Sequence, residues 1–210
     1  MNLEDMRRSY QRGSLEIHDL DPIPYLQLKA WLHQAQEHGV VEPNAMVLAT
    51  ANAQGIPSAR TVLLKKLDSL GLVWFSNYES RKGQELSANP WAALCFSWPE
   101  IERQVIVRGK VERLDDEANS LYWRRRPREH QLGSAASPQS QIVHSREELE
   151  ERWKALEDTY PGSIPCPPQW GGYRLIPESW EFWQGRVGRL HDRFGYSLDG
   201  RAWKIDRLAP

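Results

Sequence analysis

The segment RLHDRF, residues 189 to 194, packs two guanidinium groups, an imidazole and a carboxylate into six positions. Side chains alternate faces along a strand. As a strand, the segment would put Arg189, His191 and Arg193 on one face, each about 7 Å from the next at ~3.3 Å rise per residue. Such a face repels itself unless salt-bridge partners or an anionic ligand meet it. Asp192 would point the other way, which disfavours a simple His191–Asp192 catalytic pair.

Other clusters share this chemistry. In ARTVLLKK, 59 to 66, strand alternation puts Arg60, Val62 and Leu64 on one face and Thr61, Leu63 and Lys65 on the other, with cations near opposite ends. In SNYESRKG, 76 to 83, Ser80, Arg81 and Lys82 stand at a strand-to-helix junction. A helix N-terminus presents free N–H groups and the positive end of the dipole. Arg and Lys there reverse the usual acidic first turn, which suits a docked anion such as phosphate. In YWRRRPREH, 122 to 130, Tyr122 and Arg126 are four apart, neighbours on a helix face and suited to clamp a phosphate. Gln139 and Ser140 follow in a loop and can donate hydrogen bonds.

Each cluster has a plainer alternative: solvated strand ends, a surface basic pair, or a rim of salt bridges. The YWRRRPR run would also suit single-stranded nucleic acid. The formal net charge of -1 and the lack of a long basic stripe weigh against nucleic acid. One phosphate takes two or three basic partners, so several clusters point to more than one anionic ligand group.

The 210 residues suffice for one large domain, and 40% hydrophobic with 26% charged residues is an ordinary globular balance. Two cysteines, Cys95 and Cys166, are too few for a disulfide scaffold, so a reducing, cytoplasmic setting is expected. No Cys/His grouping has zinc spacing, so no metal is expected. No run approaches a membrane span, and the N-terminus lacks a signal-peptide core. There is no Gly-x-Ser-x-Gly elbow and no Cys–His motif for hydrolysis.

The elements that must position these clusters follow from periodicity and punctuation. Residues 1–20 are polar and read as a mobile arm. A helix follows from Pro24 to a stop at Gly39. AMVLATAN, IPSARTVLLKKLD and LVWFSN read as a strand meander, and SRKGQELSANP as a short helix capped by Ser80. WAALCFSW and RQVIVRGKVERL are strands, and in the latter Val105, Val107 and Val111 point one way and Gln104, Ile106, Arg108 and Lys110 the other. Helices are predicted over DDEANSLYWRRR, ending at Pro127, and from Ser145, with Glu148 in capping-box spacing. Three last strand runs include RLHDRFGYSL and AWKIDRLAP, joined by a tight LDGR turn. Six or seven hairpin-linked strands with inserted helices predict a mainly β, closed or nearly closed antiparallel barrel, one domain over residues 21–210.

RTVLLK, SRKGQELSANP, ERQVIVRGKVERL, WGGYRL, EFWQG, RLHDRF and WKIDRLAP together resemble the pyridoxine/pyridoxamine 5′-phosphate oxidases, in register from about Arg7 to Pro210. The resemblance implies an FMN-binding split β-barrel and a homodimer with active sites shared between subunits. It implies oxidation of pyridoxamine or pyridoxine 5′-phosphate to pyridoxal 5′-phosphate, with O2 as acceptor and H2O2 as product. An inactive flavin-binding carrier of vitamin B6 phosphates is the alternative. The implied FMN contacts are Arg60, Thr61, Val62, Leu63, Leu64, Lys65, Phe75, Ser76, Arg81, Lys82, Gln104, Gln139, Ser140, Trp183 and Arg193. The implied substrate contacts are Lys65, Tyr122, Arg126, His130, Arg189, Leu190 and His191, with Arg7, Arg8, Ser9 and Tyr10 in a closing segment. Arg189 and His191 are the implied catalytic pair, positioning substrate and assisting proton removal. Three positions depart from the family pattern: His130 replaces a phosphate-binding Ser, GSAASPQS lacks a Trp, and Glu42 replaces an Asp.

Overall fold

The computed structural model describes residues 2–6, 9–200 and 202–210. A fifteen-residue strand, β7 (Trp170–Gln184), organises the sheet. Along one edge it pairs with β6 (Arg103–Arg113) over the whole of β6. Its other edge is divided: β4 (Gly71–Asn77) pairs with the first half and β8 (Asp192–Asp199) with the second. β5 (Trp91–Trp98), β1 (Ala45–Ala51) and β2 (Pro57–Leu63) extend the sheet beyond β6; β3 (Lys66–Asp68) closes the β4 side and β9 (Ala202–Leu208) lies outside β8. All pairs are antiparallel, and the sheet curls into a split barrel.

The expected meander is thus broken. The run 56–68 is two strands, β2 and β3, at opposite edges of the sheet. Between them Leu64 turns into the core, and its N–H donates to Asn44 O while that of Lys65 donates to Val73 O. The total of nine strands among the described residues exceeds the expected six or seven for that reason and because every C-terminal run is a full strand.

Alternation in β6 holds: Val105, Val107 and Val111 are buried, Arg108 and Lys110 exposed. Pro177 sits in the middle of β7 where a strand interior forbids it. A bulge opposite Arg108 and Gly109 accommodates it, and a Cβ on Gly109 would lie 1.9 Å from Ile176 O. α1 (Pro24–Glu37) lays Leu28, Trp31 and Ala35 on the barrel core. α2 (Arg81–Ala88) starts at Ser80, whose side chain accepts from Gly83 N–H. α3 (Asp116–Arg125), α4 (Arg128–Ala136) and α5 (Arg146–Thr159) build a second, smaller cluster around Trp123, Leu132, Ile164 and Trp170. α4 was not expected, because Pro127 reads as a helix breaker. It instead stands at the N-cap of the next helix, where a fixed φ and a missing N–H cost nothing. Trp153 of α5 packs on Gly133 of α4, in the segment that lacks the family's Trp.

Of the N-terminal segment, Tyr10 to Leu20 lies against the barrel: Leu15 and Leu20 are buried, and Gln11 and Arg12 N–H both donate to Glu102. Arg7 and Arg8 lie outside the described residues. Among the described residues no helix is long and apolar enough to cross a membrane, and no cluster of His, Cys, Asp or Glu could hold a metal ion.

Candidate active site

A cavity of about 530 Å³ opens between β2, β4, α2, α3 and α4. Arg60, Thr61, Val62 and Leu63 of β2 line it, with Lys65, Phe75, Ser76, Lys82, Tyr122, Arg126 and Gln139. Most of the expected FMN set and three of the expected substrate contacts therefore share one wall system, although up to 79 positions separate them in sequence (Arg60 to Gln139). Asn77, Gly133, Ser134, Ser137 and Trp170 also line it and were not anticipated. No local sequence signal marks Ser134 or Ser137; only recognising α4 would place them on one helix face.

Among the described residues four cations line this cavity and no carboxylate does. Lys82 is buried, and its ammonium donates to Ser76 Oγ at 3.0 Å, Ser80 Oγ at 3.1 Å and Gln139 Oε1 at 2.6 Å. Burial, and then the charge of Arg60, pull its pKa down to about 8. Behind Arg60 lies Glu85, buried and invisible to motif reading. It accepts from Thr50 at 2.5 Å, Ser58 at 2.7 Å, Arg60 at 3.2 Å and Arg81 at 3.1 Å. Burial alone would raise the carboxyl's pKa, but these hydrogen bonds and the Arg60 charge hold it at about 2. Arg81 is turned outward onto Glu85 and does not reach the cavity lining.

At the other end, Tyr122, Phe75 and Trp170 stack, with centroid distances of 3.9 Å and 5.2 Å from the central Phe75. Gly172 makes room: a Cβ there would lie 2.9 Å from the Phe75 ring. Arg126 lies over Trp170 at 4.7 Å and donates to Ser134 Oγ at 2.9 Å, while its second terminal nitrogen is buried without a hydrogen-bond partner. Burial lowers the pKa of Arg126, a cost that a ligand bringing negative charge would offset, and raises that of Tyr122, which keeps its hydroxyl protonated as a donor. The lining fits a phosphorylated, planar aromatic group: cations and hydroxyls for the phosphate, a stack of rings beside them. His130 is exposed and does not line the cavity, because it sits one helical turn before Ser134. Ser140 is exposed with φ 73°, beside the loop that carries Gln139.

The remaining expected residues gather elsewhere. A second cavity, about 560 Å³, is lined by Met6, Ser9, Tyr10, Trp183, Arg186, Gly188, Arg189 and His191. Arg189 is not in a strand. It ends a short 3-10 turn, Val187–Arg189, and has φ 63°. β8 begins only at Asp192, so the expected common face of Arg189, His191 and Arg193 does not form. The left-handed residue resets the side-chain direction that a strand would have dictated. Leu190 is exposed and outside the lining. His191 packs against Trp183 at 4.7 Å and Tyr10 at 5.5 Å, and its Nδ1 accepts the Arg186 N–H at 3.1 Å. A neutral ring held so carries its proton on Nε2. Asp192 is buried and engaged with Leu15 N–H, Arg186 and Arg207, so it is no partner of His191, as alternation implied.

Gln104, Trp183 and Arg193 form one cross-strand row over β6, β7 and β8. Arg193 donates to Glu181 at 3.0 Å and to Ala209 O at 2.6 Å. None of the three lines the first cavity, and no described residue lines both cavities.

Family models match in two blocks: pyridoxamine 5′-phosphate oxidase over residues 32–160, and the pyridoxine 5′-phosphate oxidase C-terminal dimerisation region over 170–210. The chain belongs to the pyridoxamine 5′-phosphate oxidase family. A pyridoxine/pyridoxamine 5′-phosphate oxidase of Paraburkholderia phymatum is 50% identical over 209 residues, covering 99% of both chains. One from Gloeothece citriformis is 46% identical, covering 100% of this chain and 99% of its own. Among solved structures, PhzG from Burkholderia lata 383, in complex with tetrahydrophenazine-1-carboxylic acid, superposes with a TM-score of 0.88 at 34% identity, over 94% of this chain and all of its own. A related FMN-binding protein from Nostoc punctiforme shares the fold at TM-score 0.72 and 18% identity, over 91% of this chain and all of its own. The oxidase family thus accounts for both halves of the chain, and its dimerisation region contains the β7–β9 segment that carries the second cavity's Trp183, Arg189 and His191.

Proposed function

We propose that this member of the family is an FMN-dependent oxidase converting pyridoxamine 5′-phosphate and pyridoxine 5′-phosphate to pyridoxal 5′-phosphate, with O2 reduced to H2O2. The amine substrate also takes up water and releases ammonia. The observation that carries the proposal is a cavity with four lining cations, no lining carboxylate and a three-ring aromatic stack. A phosphate that neutralises Arg60 and Lys82 and another that neutralises Lys65 and Arg126 would match that imbalance.

Bound there, FMN supplies the two-electron acceptor for the C4′–H bond of the substrate. The chain's own residues do the rest. Lys82, Arg60, Ser76 and Gln139 hold the cofactor phosphate, and the Thr61–Lys65 backbone runs along its length. Lys65, Tyr122 and Arg126 hold the substrate phosphate. Fixing both ends aligns the reacting carbon, an entropic contribution of up to several kcal/mol.

The two cavities join in a homodimer in which one copy's second cavity closes the partner's first. Gln104, Trp183, Arg193, Arg189 and His191 then reach the cofactor and substrate of the other copy, with Ser9 and Tyr10 over the opening. The sheet face beside this row carries Ala49, Ala93, Arg108 and Ser179 side by side across four strands, near exposed Trp91. His191, with Nδ1 occupied, offers Nε2–H as a donor to the substrate rather than a base. The enzyme would work in the cytoplasm, where the unpaired Cys95 and Cys166 stay reduced.

Adding pyridoxamine 5′-phosphate to the yellow holoprotein without air should bleach it, and admitting air should restore the colour with release of pyridoxal 5′-phosphate. A yellow protein that never bleaches would be an inactive carrier; a colourless one that binds no flavin would sink the proposal outright.

A further inference from the structure

We propose that Ser134 supplies the hydroxyl of the substrate-phosphate clamp in this chain. The inference rests on the function proposed above and specifies one contact within it. His130, at the expected position, is exposed and outside the cavity. Ser134 stands one helical turn further along α4 and lines the cavity with Gly133 and Ser137. Its Oγ accepts a hydrogen bond from Arg126 at 2.9 Å. That bond uses an oxygen lone pair, so the hydroxyl hydrogen stays free to rotate toward a ligand oxygen. The other terminal nitrogen of Arg126 is buried with no partner, so the same pair still has donors to give.

A phosphate dianion offers three acceptor oxygens. Arg126, Tyr122, Lys65 and the Ser134 hydroxyl present donors to it from α3, α4 and the β2–β3 link, all lining the cavity. Ser134 does two things at once: it accepts from Arg126, fixing the guanidinium, and donates to the anion. His130 could reach only by reorienting across a full turn of helix, about 5.4 Å.

The test is steady-state kinetics on the holoenzyme with pyridoxamine 5′-phosphate, and inhibition by inorganic phosphate as the probe of the subsite alone. Ser134→Ala should raise KM, and weaken phosphate inhibition, by about tenfold, equivalent to ~1.4 kcal/mol. The effect on kcat should be much smaller, and flavin retention should match wild type. Ser134→Thr, which keeps the hydroxyl, should recover most of the loss, and His130→Ala should leave KM within twofold of wild type. A Ser134→Ala enzyme with unchanged KM and phosphate inhibition overturns the assignment, as does a larger effect from His130→Ala. If the wild-type holoprotein does not bleach with substrate at all, the function itself falls and this contact with it; bleaching with an indifferent Ser134 removes only the contact.

Discussion

The two cavities hold similar side chains in opposite electrical states. In the first, Arg60, Lys65, Lys82 and Arg126 line the wall, and the one nearby carboxylate, Glu85, is buried behind Arg60. Around the second, cations are matched locally: Arg186, which lines it, pairs with Asp192, and beside it Arg207 pairs with Asp192 and Glu16 and Arg193 with Glu181. Only Arg189 there lacks an ion-pair partner among the described residues, and it is exposed at a left-handed backbone position. In the first cavity Lys65, Lys82 and Arg126 thus have no ion-pair partner among the described residues, while Arg60 pairs with Glu85. The second is a frame of paired charges that presents, among the described residues, one guanidinium without an ion-pair partner, that of Arg189, and one oriented imidazole.

The largest expected effect is at Lys82. Lys82→Ala removes a buried ammonium aimed at the proposed phosphate site, and should weaken FMN binding about 100-fold, the cost of losing a charge-assisted hydrogen bond of up to ~3 kcal/mol. Flavin fluorescence titration measures it, and the dimer should survive on size exclusion. Unchanged retention of flavin would remove Lys82 from the site. Arg189→Met probes the other cavity: turnover should drop at least tenfold, about 1.4 kcal/mol in the barrier, with FMN affinity untouched. Wild-type turnover would show that the free guanidinium has no role in the chemistry.

A pH titration separates the cavities more finely. In the empty folded site Lys82 titrates near 8, against 10.5 for an ordinary lysine. A bound phosphate restores the charged form, so between these values FMN binding takes up a proton. Affinity should be level from pH 7 to 8 and then fall as pH rises, by up to about tenfold per unit. In the same window the unfolded chain binds more protons than the empty fold, so apoprotein stability gains from Lys82 as pH rises. A profile flat to pH 9.5 would contradict the buried, charge-crowded environment of Lys82. The last expected effect is on stability rather than on binding or turnover. Asp192→Asn should lower stability by ~1–3 kcal/mol in urea unfolding, since Asp192 is buried and accepts from Leu15, Arg186 and Arg207. An unchanged midpoint would mean that those contacts contribute nothing net.

Much of the frame was legible because it depends on neighbours in sequence. The caps at Ser80 and Ser145 are bonds across three residues. The β6 alternation and the hairpin that pairs Asp199 with Ala202 are equally local. Even so, Glu148 caps His144 N–H rather than that of Ser145, a shift of one residue that spacing does not resolve. Arg189 was misread because strand alternation was extended three residues past the true start of β8. Position 42 is similar: the backbone there has φ 50°, where an Asp is better tolerated than the Glu present, and nothing local announces it.

By itself, then, the sequence determined the cations and aromatics on offer, the alternation within β6, and the capped helix starts at Ser80 and Ser145. Those follow from bonds and sterics spanning a few residues. Only the tertiary structure decided that Glu85 would sit behind Arg60, that Gln139 would reach Lys82, that Ser134 rather than His130 would face the cavity, and that Arg189 would leave the strand. Each of these depends on where a chain segment is carried by packing dozens of residues away, and no local periodicity encodes that.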